Sequence, residues 1–538
     1  MDDRRSAPEK PVVLKTAIQA RMYGWMACSL VCLGLLFTRH VFHCKPNWVS
    51  FLSWTCCIVA VSWSAGLMAE IRAGGRLSES ISPFKRLFAL WLALFPIALF
   101  VQQYFKYRAY SSEIWDLGII SHAFSATLRG HFFENIFAGS DVPMSAFSQH
   151  TEPVFIALYP LFALFPHPLT LVAAQSIAMS CAVYFFYRLA RDILKNDFSA
   201  IVSAFCFSVY PAFYYCGILD IHGDVFALPF IILMMRTTIA KKRLPPILFL
   251  IIALSCKEYV ALTGFVWGAY CFFALKNKPT GIAFCVTSGA WLAGSLIIQS
   301  MLRPADVPSL FSVYYISKFG GGAPGSTQWI SGILHKTFQA ENAHNLFFLF
   351  IPTLFYCLRY PWIFLFLSLP LLKDAPAGIS IESHRLAPVL PLIWYSVVRV
   401  LSRSSVRSPN RVSAVIALLV AGILSSALFS EAFWSQRFMR NWQSRYHHSQ
   451  RAISLDEIVA SVPAEAPASA SAALYPHLIN RRYLYLFPVL GRSAPARYAA
   501  IEKDRLSATE RRATDSLMTR GEWTITKEND YGLLLKRH

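Results

Sequence analysis

Apolar runs close to the length of a membrane-crossing helix recur along this chain from Met22 to Phe429. Each approaches the roughly 20 residues that span about 30 Å of hydrocarbon. A soluble core cannot bury so many of them, so the bilayer must be the solvent for most. The composition agrees: 55% of the 538 residues are hydrophobic and 15% are charged, against about 25% charged in an ordinary soluble domain. The expected fold is mainly α, a polytopic transmembrane bundle of about 13 segments with a small extracytoplasmic α/β appendage at its C-terminal end.

The net charge is +20, from 50 Lys and Arg against 30 Asp and Glu. In a soluble protein that excess would argue for nucleic acid. Here the basic residues fall in short loops between apolar segments, the pattern of the positive-inside rule, so membrane lipids and not nucleic acid are the expected partner. The segment 1–21, with Arg4, Arg5, Lys10, Lys15 and Arg21, is placed in the cytoplasm. The clusters Arg72 to Arg86, Lys241 to Arg243, Lys276 to Lys278 and Arg403 to Arg411 fall on the same side. The first three helices then occupy 22–103, an outer loop with juxtamembrane helices 104–168, the remaining membrane core 169–429, and an extracytoplasmic region 430–538. The first apolar run lacks a small-residue cleavage site, so it is expected to stay as the first helix. Most of the 12 cysteines sit inside apolar segments and read as small hydrophobes rather than a disulfide framework.

Some segments depart from simple crossings. Glu152 to Phe165 is short and bracketed by Pro153, Pro160, Pro166 and Pro168, so it is expected to be re-entrant or interfacial. Ile247 to Ser255 and Tyr259 to Leu275 read as two short arms of a hairpin, and Leu346 to Leu358 as a crossing. Met301 to Asn345, with Gly320 to Gly325 inside it, reads as a long outer loop. In the tail, Leu455 to Val462 and Asp504 to Met518 read as helices. Ala468 to Leu474, Arg482 to Phe487, Tyr498 to Ile501 and Trp523 to Leu535 read as extended or mixed stretches.

Ionisable groups at membrane depth are costly and point to function. They gather at the expected outer ends of the apolar segments: Glu113 and Asp116, His150 and Glu152, Asp220, His222 and Asp224, Lys257 and Glu258, and His384 and Arg385. Carboxylates in such a set can take a proton from a hydroxyl or hold a divalent cation. Lys257, His384 and Arg385 can bind phosphate. Each group also has a plain structural reading: Glu113 and Asp116 as helix caps, Lys257 as a snorkelling side chain paired with Glu258, and the others as polar loop ends. Their shared side favours a common cavity.

Four short motifs occur in order: Trp115-Asp116-Leu117-Gly118, His150-Thr151-Glu152-Pro153, Asp220-Ile221-His222-Gly223-Asp224 and Cys256-Lys257-Glu258. With the tail segment Tyr475-Pro476-His477-Leu478, the chain from about Tyr107 to Ile501 resembles a family of predicted prokaryotic membrane proteins of unknown function. Trp115 stands where that family often has tyrosine. The family in turn resembles, distantly, the GT-C glycosyltransferases, membrane enzymes that use polyprenyl-phosphate-linked sugars. The resemblance implies a multi-pass protein of a bacterial inner membrane, transferring a hexose or pentose from such a donor to a lipid, glycan or protein. Asp116 would be the catalytic base and Glu113 its understudy. Lys257 and Arg385 would meet the leaving phosphate, with His150, Asp220, His222 and Asp224 shaping the pocket or holding a divalent metal, and Glu152, Glu258 and His384 among the substrate-binding residues. The rival readings are a transporter or lipid flippase, which would show repeats around a midplane site, and a non-catalytic assembly protein. Nothing in the sequence specifies an oligomeric state.

Overall fold

The computed structural model describes residues 48–73, 82–112, 114–137, 140–305, 307–309, 326–404, 409–492, 494–519 and 521–538. The first apolar segment from Met22 to Phe37, the basic residues around it, Glu113, the run Gly320 to Gly325 and Arg407 lie outside the described residues.

The chain is mainly helical. Among the described residues four helices are long and apolar enough to cross a bilayer: Ser82–Arg108, Pro168–Leu194, Lys278–Leu302 and the Arg411–Phe429 part of Pro409–Phe429. Asp197–Val209 and Pro211–Ile218 make a fifth if taken as one span bent by 53°. Pro211 causes the bend: it lacks an N–H, and it holds the preceding Tyr210 out of the helical region, at ψ 123°. Among the described residues length alone therefore supports four or five spans; about thirteen were expected over the whole chain, of which the first lies outside the described residues and several others are short or broken. Leu346 to Leu358 is one of these. Its helix, Ala340–Phe350, stops ahead of Pro352 and gives way to two 3-10 turns around Leu354 and Phe355, both left-handed at φ 48° and 57°. The outer loop expected from Met301 likewise holds a helix, Thr327–Thr337.

The two short arms of the expected hairpin are present as Leu244–Leu254 and Val260–Phe273, and the stretch after Pro153 is the short helix Val154–Leu164. Small residues set the closest helix contacts, as in membranes generally. A Cβ on Gly268 would lie only 3.0 Å from the Gly281 carbonyl of Lys278–Leu302. Arg411, expected as a loop cation, is buried instead: its guanidinium donates to Leu401 O and Leu194 O, both at 3.1 Å. It thereby satisfies carbonyls at the C-terminal ends of two helices, where their dipoles favour a cation.

A two-stranded ribbon, β1 (Glu134–Asn135) with β2 (Met144–Ser145), lies between the helices Ile119–Leu128 and Val154–Leu164. The tail forms a five-stranded sheet of β3 (Ala468–Ala470), β4 (Leu484–Leu486), β5 (Tyr498–Glu502), β6 (Trp523–Glu528) and β7 (Gly532–Arg537). The order is β4-β3-β5-β7-β6, with β3 parallel to both neighbours and β7 antiparallel to both of its own. The extended or mixed stretch expected from Trp523 to Leu535 is a hairpin. Asn529 turns it, its Oδ1 accepting the Tyr531 and Gly532 N–H groups, the local bonding that makes Asn a turn residue.

The tail docks on the C-terminal end of helix Ser82–Arg108. Tyr110 donates to Asp456 at 2.7 Å, and Arg108 and His448 approach the same carboxylate at 3.3 and 2.9 Å. Arg451 pairs with Glu502 and also donates to Ala109 O at 3.1 Å.

Candidate active site

The site is built on a turn that the backbone would not adopt unaided. Asp220 has φ 45°, a left-handed conformation disfavoured for a side chain but better tolerated by Asp than by most. Four neighbours hold it there. Lys106 Nζ lies 2.8 Å from its carboxylate and Ser112 donates to the same oxygen at 3.0 Å. Gln103 and Gln175 donate to its carbonyl at 3.2 and 2.7 Å. Gln175 also accepts the His222 N–H at 2.8 Å. Helix Gly223–Ile239 starts immediately afterwards. A Cβ on Gly223 would collide with Cys256 O and the Glu152 carboxylate, so the glycine admits close approach of the loop carrying Lys257.

These constraints set the His222 ring parallel to that of His384, with centroids 3.4 Å apart and planes 10° apart. His384 Nδ1 lies 2.9 Å from Asp224 Oδ2, and the Tyr259 hydroxyl donates to the same carboxylate. Asp224 is fully enclosed, His222 is 3% exposed, and His222 Nε2 has no hydrogen-bond partner. Asp116 lies across from it, Oδ2 at 3.6 Å from His222 Nε2, carried on the π-helical turn Ile114–Gly118. Its side chain is 42% exposed, the most open carboxylate of this group. Protein closes round the remaining sides, and that burial pushes its pKa up to about 6, partly opposed by His384 and reinforced by Asp220. Burial also holds the His222 imidazole well below its ordinary range.

Of the residues singled out in the sequence, Asp116, His222, Asp224 and His384 thus meet directly, with Asp220 as their support. Two more pairs flank them, but not as expected. Lys257 is 5% exposed and pairs with Glu152, Nζ to Oε1 3.1 Å, in an ion pair that misses hydrogen-bond direction. It does not pair with Glu258. That carboxylate receives His150 Nδ1 at 2.8 Å and the Thr151 N–H at 3.1 Å. Arg385 stands at the edge, 3.6 Å from Asp374 and donating to Ser383 Oγ and Gly378 O. Lys257 is therefore buried against Glu152 and not paired with the neighbouring Glu258. Arg385, 31% exposed, is the more open of the two cations.

The sequence reading missed Lys106, Gln103, Gln175 and Tyr259. Lys106 reads as an ordinary basic flank of an apolar helix. The repeated glutamines inside apolar runs were the available signal, since a buried amide needs partners.

The tail braces the Asp116 turn. The Tyr475–His477 turn packs on Ile114–Gly118, and the His477 ring lies between Tyr107 and Tyr110, centroids 4.0 Å from each. Burial lowers the His477 pKa to about 3, so the stacked ring is neutral. Tyr475 and the Arg481 carbonyl hold His122 at 3.2 and 2.9 Å. Replacing His477 by Ala removes two ring contacts worth roughly 0.5–1.5 kcal/mol each. A lower Tm and faster proteolysis of the tail in the full chain are expected, with His477→Phe restoring both. Equal melting of the Ala variant and the wild type would contradict the brace.

Among solved structures the chain is similar to ArnT from Cupriavidus metallidurans, crystallised bound to undecaprenyl phosphate. The two share 11% identity at a TM-score of 0.42, over 83% of this chain and 97% of that one. No curated protein matches. Residues 108–535 match the model of the family described as "Predicted membrane protein (DUF2079)", so the chain belongs to that family.

Proposed function

We propose that this protein is a membrane glycosyltransferase of the GT-C kind. It moves a sugar from a polyprenyl-phosphate donor to a hydroxyl of a lipid, glycan or protein at the outer face of a bacterial inner membrane. The observation that carries the reading is the position of Asp116: a partly open carboxylate on a braced turn, beside the stacked rings of buried His222 and part-buried His384, at one end of the apolar helices. An acceptor hydroxyl reaching Asp116 loses its proton to the carboxylate as its oxygen attacks the sugar's anomeric carbon. The bond from that carbon to the phosphate breaks, and polyprenyl phosphate leaves. Arg385, the more open of the two cations, meets the phosphate with the guanidinium geometry that suits it. The motif resemblance supports the same reaction class, and the outer orientation follows from the charge pattern of the loops.

The test is chemical. The purified chain in proteoliposomes, given a panel of polyprenyl-phosphate-linked hexoses and pentoses with membrane-extracted acceptors, is expected to release free polyprenyl phosphate. Movement of intact donor between leaflets, with no release, would replace this reading by lipid transport.

A further inference from the structure

We propose that His222, Asp224 and His384 bind one divalent transition-metal ion, with Asp116 completing the set from the open side. The three offer ligand atoms that all lie within 4.8 Å of one another. A cluster of that kind alone would mean little. The independent observation is His222 Nε2, a ring nitrogen that is buried, has no partner and faces a carboxylate. Leaving such an atom unsatisfied carries a desolvation cost that a ligand would remove.

The spacing decides what kind of ligand fits. At 3.6 Å, His222 Nε2 and Asp116 Oδ2 are too far apart for a hydrogen bond. Two donors each about 2.1 Å from one tetrahedral ion stand about 3.4 Å apart. The observed gap is thus close to that of two ligands sharing an ion. His384 Nδ1 and Asp224 Oδ2, 2.9 Å apart, now share a proton that an ion would displace, so binding releases a proton. The parallel imidazoles must splay, since a ring nitrogen binds in its own plane. That movement is a side-chain rotation within the cleft.

Charge points the same way. Among the described residues neither Asp116 nor Asp224 has a lysine or arginine within ion-pair distance, because Lys106 is committed to Asp220 and Lys257 to Glu152. Two imidazoles with two carboxylates form a mixed nitrogen and oxygen set, suited to zinc or manganese rather than to magnesium or calcium, which prefer oxygen alone.

The inference concerns the site of the proposed transfer but is tested without turnover. The full chain, purified in detergent without chelator and dialysed, is analysed for metals by plasma mass spectrometry. About one zinc or manganese per chain is expected, falling at least tenfold in His222→Ala and in His384→Ala. Should either variant fail to fold, the wild type stripped with EDTA supplies the second measurement: adding zinc or manganese chloride is expected to raise its Tm saturably. A metal-free wild type whose Tm ignores both ions overturns the inference, and so does metal content unchanged in folded variants of both histidines. A chain that binds the ion yet transfers no sugar from any donor would keep the metal site and sink the glycosyltransferase reading. A chain that transfers sugar yet holds no metal and whose Tm ignores both ions would do the reverse.

Discussion

Asp116→Asn is expected to lower sugar transfer by about 10² to 10⁴, the usual worth of a positioned general base. The amide keeps the volume and can still accept a hydrogen bond, but it loses the basicity. The carboxylate is 42% exposed and its one ion-pair contact among the described residues is His222 at 3.6 Å, so the substitution leaves no buried charge stranded. Folding should be unchanged, and the loss should fall on kcat with little change in donor affinity. A folded Asp116→Asn chain with wild-type turnover would remove the base from the account. A chain that loses stability instead would point to Asp116 as a structural cap of its helix.

Lys257→Met is expected to act on stability. Lys257 and Glu152 are 5% and 7% exposed and stand 3.1 Å apart. Removing one member of a buried ion pair leaves the other uncompensated, at a cost of about 3–5 kcal/mol. That is a large part of the roughly 5–15 kcal/mol that holds a typical domain, so a clear fall in Tm should follow. Adding Glu152→Gln to Lys257→Met removes the stranded charge and is expected to recover most of the loss. The comparison also separates two roles for the lysine. Unchanged stability with weakened donor binding would restore Lys257 as a phosphate anchor and contradict its commitment to Glu152.

The membrane class and much of the helical order were legible in the sequence because hydropathy and loop charge are local signals. So was the gathering of Asp116, His222, Asp224 and His384, which followed from each lying at the same end of an apolar segment. The pairings were not legible. Lys257 and Glu258 are neighbours on a turn, and neighbours there point to different partners, Glu152 and His150. Arg411 carries the same charge as the loop cations around it. Only the meeting of two helix ends from distant parts of the chain makes it a buried cap. The break after Phe350 was hidden in an apolar run, where Pro352 was the local sign, and the hairpin turn was marked by the polar stretch Lys527 to Asp530 inside what read as one stretch. The stacking of His477 between Tyr107 and Tyr110 depends on how the tail docks, which no spacing within either segment encodes.

The central claim is that the Asp116 cleft and the tail that braces it together face the extracytoplasmic side of the membrane. Cysteines introduced singly at Ser140, Tyr498 and Arg243 can be challenged in intact cells with a membrane-impermeant maleimide, against the wild-type labelling background. The account predicts that Ser140→Cys and Tyr498→Cys label at once, and that Arg243→Cys labels only after the membrane is opened. Labelling of Tyr498→Cys or Ser140→Cys only from the inside would contradict it.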